Sequence, residues 1–140
     1  MNLREQIVAE AESWLGTPYQ HGGKVRGRQG AVDCLMLAVA VYQAVGLVPE
    51  DFEPRPYAFE WFLHHSEELY LQGLEQYAHR VECGEPGDMA MFQMGRTVAH
   101  GAIVVGEDLI VHAYRPARCV TVTDLHHLHH RLHSFWSVIP

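Results

Sequence analysis

Hydrophobic positions recur with a helical period in the first half of the chain and in short β-prone runs in the second. Leu3, Ile7, Ala11 and Trp14 share one helical face, so residues 2–15 are expected to form an amphipathic helix. It should stop at GTPY, where Gly16 and Pro18 forbid continuation. The stretch HGGKVRGRQG (21–30) reads as a loop. Residues 34–45 are almost wholly apolar, the mark of a helix buried on most of its circumference, with Asp33 as N-cap and Gly46 as stop. After EPRP (53–56), Tyr57, Trp61 and Leu69 stand at loosely helical spacing, and a third helix is expected over 57–72. Beyond GEPGD (84–88), β-prone runs follow at 89–94, 99–105, 109–114 and 118–123, then at 135–139 after a short helical DLHHLHHRL. Helices first and strands afterwards indicate an α+β fold with an antiparallel sheet.

Length and charge narrow the function classes. A chain of 140 residues suits one domain over 1–140, and no repeat or linker divides it. Ten Lys and Arg against 17 Asp and Glu give a formal charge of -7, the wrong sign for binding nucleic acid through its phosphates. The N-terminus shows no signal-peptide h-region and no run is long enough to span a membrane, so synthesis in the cytoplasm without a signal peptide is expected. Cys34, Cys83 and Cys119 are odd in number and lack CxxC spacing, so neither a disulfide framework nor a cysteine zinc site is indicated.

The chemistry concentrates at AVDCLMLAVAVYQAVG (31–46). Behind the Asp33 cap, Cys34 falls in the first turn of the apolar helix, where unpaired N–H groups and the helix dipole favour a thiolate. Taken alone, a cysteine beside an apolar run is more often a small packing residue. A nucleophile also needs a base held by a third group. Of the 11 histidines, His100 in AHGAIVV and His112 in LIVHAY lie in successive strand runs joined by GED (106–108). With that three-residue loop, paired positions sum to 214 and both histidines point to one face as diagonal neighbours, about 7–8 Å apart at the backbone. A two-residue loop would send them to opposite faces. Nucleophile, base and orienter are thus expected at Cys34, His100 and His112.

These residues sit in a longer pattern: WLGTPYQHGG (14–23), VDCLMLA (32–38), GEPGDMAMF (84–92), AHGAIVVG (99–106) and LIVHAY (109–114). In this order they resemble the NlpC-type bacterial cell-wall cysteine peptidases. The resemblance implies a papain-like fold with helices on a central antiparallel sheet of about five strands and the nucleophile at the start of the central helix. It implies Cys34 as nucleophile, His100 as general base and His112 as orienter. Tyr19 corresponds to the family's active-site tyrosine, and Asp33 to an acidic residue that helps recognise the substrate's amine. The implied reaction is hydrolysis of a peptidoglycan stem peptide, between D-glutamate and a diamino acid, with no metal or other cofactor. The chain is similar, further, to versions encoded in phage and prophage tail modules, so phage tail proteins are expected partners and a tail or virion the route to the wall. One departure stands out: the family commonly has glycine two residues after the cysteine, where this chain has Met36, whose side chain either crowds the groove or packs inward.

Other features have plainer readings. In LHHLHHRLH (125–133), His126 with His130 and His129 with His133 share a helical face at i, i+4, but the run has no carboxylate or cysteine and reads as a solvated face rather than a metal site. His21 is a candidate for lining the groove. Cys83 and Cys119 read as packing residues, and Trp61, with Phe59 and Phe62, as core or interface. Two rival functions remain at this level: a non-catalytic structural or wall-binding tail component, and a related thiol amidase or acyltransferase with another substrate.

Overall fold

The structure is a computed structural model that describes residues 1–57 and 69–140. Helix α1 (Leu3–Glu12) starts where the Asn2 side chain accepts from the Glu5 N–H at 2.9 Å. It buries Ile7 and Ala11, and Gly16 leaves it at φ +85°, a left-handed conformation that glycine adopts without penalty. A short hairpin of β1 (Lys24–Val25) and β2 (Ala31–Val32) occupies the glycine-rich stretch read as a loop. Helix α2 (Cys34–Ala44) follows, with Met36 to Tyr42 all buried, and the chain turns away at Gly46 with φ +80°.

Of the third helix expected over 57–72, residues 69–72 are helical, within helix α3 (Leu69–Glu75), Tyr57 is not, and 58–68 lie outside the described residues. Phe59, Trp61 and Phe62 lie outside the described residues. The strands are β3 (His79–Val81), β4 (Met89–Met94), β5 (Thr97–Gly106), β6 (Leu109–Tyr114), β7 (Cys119–Asp124) and β8 (Leu132–Ser137). They form one sheet in the order β3-β8-β4-β5-β6-β7 with every pairing antiparallel. The sheet thus has six strands where about five were expected. The addition is β3, three residues with no clear alternation.

Alternation along the strands splits the core in two. Met89, Met91, Ile103, Val111 and Ala113 face the helices, against Ile7, Ala11, Leu37 and Val41. Ala90, Phe92, Ala102, Val104 and Ile110 face the other way and are covered by Leu128 of a 3-10 helix (Leu125–Arg131). Two packed faces on one central sheet fix β5 and β6 from both sides. Among the described residues no helix is long and apolar enough to cross a membrane.

Candidate active site

The Asp33 backbone is extended and its Oδ1 accepts from the Met36 N–H at 2.8 Å, while its carbonyl accepts from Leu37 N–H at 3.0 Å. The capping expected from the sequence is therefore present, and the Cys34 and Leu35 N–H groups have no acceptor within the helix. The Cys34 thiol donates to the Ala99 carbonyl of β5 at 3.7 Å. Beneath it, the buried Tyr70 of α3 donates its hydroxyl to the Cys34 carbonyl at 3.1 Å. Tyr70 fits because residue 101 is glycine: a Cβ there would stand 2.5 Å from the phenol oxygen.

The two strand histidines meet as the parity argument requires, by a different local route. The β5–β6 tip is only Glu107–Asp108, with Gly106 paired to Leu109. A shift between Val104 and Gly106 gives Val105 no counterpart, and below it Val104 pairs with Ile110 and Ile103 with Val111, the expected sum. A bulge therefore restores the register that a two-residue tip alone would have reversed, and Asp108 takes the left-handed φ of 55° that such tips use. His100 Nε2 lies 2.8 Å from His112 Nδ1, and His112 Nε2 lies 2.9 Å from Thr123 Oγ1. Tyr114 stacks on His112 at 4.6 Å, and Phe92 lies 5.8 Å from His100.

A second bulge joins the histidines to the thiol. Phe92 pairs with His100 and Gln93 with Val98, so Ala99 is the extra residue, and its carbonyl receives the thiol. His100 projects to the face that carries Phe92, while α2 packs on the other. At this end of the sheet Cys34, Ala99, His100, Ala113 and Tyr114 nevertheless line one cavity of about 310 Å³.

Electrostatics weighs against one expectation. Burial pushes the Cys34 thiol up to about 12, and the Asp33 charge adds to this; N–H groups of Gly101, Leu35 and Cys34 pull the other way and lose. Burial likewise lowers His100 to about 3, with His112 beside it as the smaller cause, and lowers His112 to about 4. Burial thus works against the thiolate that the helix start favours and against an imidazolium at His100.

Asp33 serves more partners than capping requires. Its Oδ2 accepts from Gly22 N–H at 2.7 Å and from the Tyr57 hydroxyl, and His21 Nδ1 stands 3.9 Å away. His21 Nε2–H donates to the Tyr57 carbonyl at 2.9 Å, and the two rings meet edge to face. Tyr19, His21, Asp33 and Tyr57 all line the cavity, so the three expected binding residues are together. Tyr19 is held there by backbone bridges to Val32 and Arg118, and burial, then the nearby Cys34 and Asp33, raise its hydroxyl above the ordinary tyrosine range. Sequence reasoning missed Tyr57, Tyr70 and Thr123. The EPRP break directly before Tyr57 was the available sign against a helix at this residue. Met36 is fully buried and packs inward, leaving the groove wall to Leu35.

Two side readings change. The histidine run forms a 3-10 helix, three residues per turn, so His126 meets His129 rather than His130, with ring centroids 6.5 Å apart. All four of its histidines are exposed, and among the described residues no group of three ligand side chains could hold a metal. Cys83 is exposed and not a packing residue, while Cys119 is half-buried.

The fold resembles several solved structures. NlpC2 from Trichomonas vaginalis superposes with a TM-score of 0.70 at 19% identity, covering 97% of this chain and 48% of that one. The NlpC/p60 domain of peptidoglycan hydrolase SagA gives 0.63 at 23%, covering 98% and 99%. Peptidoglycan hydrolase RipB from Mycobacterium tuberculosis gives 0.64 at 20%, covering 96% and 63%. The chain thus spans about half of the Trichomonas protein and nearly all of the SagA domain. No curated protein sequence matches it. A family model described as NlpC/P60 family matches residues 16–137, a span that takes in the whole cavity from Tyr19 to Arg131, and the chain belongs to that family.

Proposed function

We propose that this NlpC/P60 protein is a cysteine peptidase of the bacterial cell wall that hydrolyses peptidoglycan stem peptides, with Cys34 as nucleophile, His100 as general base and His112 as its orienter. One observation carries the reading: the thiol at the start of α2 opens into the same cavity as His100, whose Nε2 is 2.8 Å from His112 Nδ1. The motif resemblance supports the finer assignments, the bond between D-glutamate and a diamino acid and a phage tail as the route to the wall.

With Nε2 turned to His112, His100 has Nδ1 to take a proton. The Cys34 S–H proton passes to Nδ1 as sulfur bonds to the peptide carbonyl carbon, and the carbonyl oxygen becomes an oxyanion beside the uncapped N–H groups of the helix start. The C–N bond breaks as His100 returns the proton to the leaving amine. Water then attacks the thioester, giving a proton to His100; the C–S bond breaks and the thiol is restored. With burial disfavouring the charged form of both groups, proton transfer accompanies attack.

The test is mass spectrometry of muropeptides, prepared by muramidase digestion of peptidoglycan, after incubation with the protein. The expected products carry a new D-glutamate carboxylate and a new diamino acid amine, and Cys34→Ala gives none. No cleavage, or equal cleavage by Cys34→Ala, would overturn the reading.

A further inference from the structure

His112 uses both ring nitrogens, Nδ1 toward His100 Nε2 at 2.8 Å and Nε2 toward Thr123 Oγ1 at 2.9 Å. Strand β7 pairs with β6 through His112↔Thr121 and Ile110↔Thr123, so Thr123 is a diagonal neighbour of His112 on the same sheet face. Three adjacent strands thus carry an unbroken line from a hydroxyl to the base.

Each contact in that line holds one hydrogen, so the neutral line has two arrangements. In the first, His112 Nε2–H donates to Thr123, His112 Nδ1 accepts from His100 Nε2–H, and His100 Nδ1 is bare. In the second every donor is reversed: Thr123 O–H donates to His112, His112 Nδ1–H donates to His100, and His100 Nδ1 carries a hydrogen. Only the first can take the thiol proton. Once His100 is protonated it must donate from Nε2, which requires His112 Nε2–H to find an acceptor.

We propose that Thr123 is a positioning residue that acts through His112 as that acceptor, holding His100 with Nδ1 bare and supporting its imidazolium. The proposal rests on His100 being the base. A valine at 123 would set a methyl group against His112 Nε2. A buried N–H without an acceptor is costlier than a bare nitrogen without a donor, so Thr123→Val selects the second arrangement.

Proton–nitrogen correlation spectra of the imidazoles in the full chain at neutral pH test this directly. Wild type should show His112 protonated at Nε2, and Thr123→Val should move the proton to Nδ1. On the same muropeptides Thr123→Val should lower kcat roughly tenfold with KM unchanged, as loss of one hydrogen bond implies, and Thr123→Ser should recover most of it. An unchanged tautomer in Thr123→Val, or Thr123→Ser as impaired as Thr123→Val, overturns the proposal. Should Thr123→Val not fold, the wild-type spectrum decides: His112 protonated at Nδ1 overturns the proposal, and Nε2 supports it. The spectra need no turnover, so failure of the base assignment is read separately, as activity surviving in His100→Ala.

Discussion

The Cys34 thiol donates to the carbonyl of Ala99, the bulged residue immediately before His100. The proposed nucleophile is thus parked on backbone next to its proposed base, as a thiol whose ionisation burial pushes up to about 12. At pH 7 iodoacetamide should therefore alkylate the exposed Cys83 before Cys34, with Cys34 reactivity rising as pH approaches that value. Quantifying each modified cysteine by mass spectrometry checks this. Faster loss of Cys34 would mean that the resting site holds a thiolate and an imidazolium.

The two histidines should respond differently to substitution. His100→Ala removes the proposed proton acceptor, and kcat/KM should fall by about 10²-fold or more. His112→Gln or His112→Asn can still hydrogen-bond to His100 and should retain more activity than His112→Ala. Circular dichroism alongside the kinetics separates this from misfolding. Unchanged turnover in His112→Ala would remove His112 from the site.

Acid should destabilise the fold through the same pair. His100 and His112 are lowered to about 3 and about 4, whereas the unfolded chain titrates near 6.5. Between those values the unfolded state binds more protons, so stability rises with pH; it is full above about 6.5 and is lost as pH falls toward 4 and 3. The slope is at most about 1.4 kcal/mol per pH unit for each ring. Urea midpoints between pH 4.5 and 7.5 should show this, and a flatter dependence is expected in His112→Gln. A midpoint independent of pH would contradict it.

Asp33 should matter more to stability than an ordinary helix cap. Asp33→Ala removes the acceptor of Met36 N–H and leaves Gly22 N–H and the Tyr57 hydroxyl without theirs. The expected loss is about 2–4 kcal/mol, above the roughly 1 kcal/mol of a typical cap. Tyr57→Phe, which removes one of these bonds, should cost about 1–2 kcal/mol. Chemical denaturation measures both, and a cost for Asp33→Ala no larger than for Tyr57→Phe would show that the carboxylate acts through the tyrosine alone.

Much of this was legible because it depends on local pattern. Asp33 before an apolar run specifies a cap and places Cys34; even spacing between His100 and His112, taken with an even pairing sum of 214, specifies one sheet face. The tip was legible only in outcome, since whether GED closes as three loop residues or as two with a bulge leaves the same pairs below it. The roles of Tyr57 and Tyr70 were not legible, because they arise where distant segments pack: the two reach Asp33 and Cys34 from 24 and 36 positions away. Thr123 is near His112 in sequence, but its role depends on the β6–β7 register, which the pattern of residues 109–124 does not fix. The pull of burial against a thiolate was hidden for a related reason. The helix start can be read from the sequence, but the depth to which strands and a neighbouring helix bury it cannot.

The relay across β5, β6 and β7 also bears on the order of folding. Its contacts close over 12 and 11 residues, whereas the contact of Cys34 with Ala99 spans 65. Short closures in a meander cost less chain entropy than docking a remote helix. We therefore expect the acid–base half of the site to assemble first and the thiol to join it last, so that a partly folded chain has no competent nucleophile. Pulsed hydrogen exchange during refolding should find protection in β5–β7 before α2; simultaneous protection would refute this order.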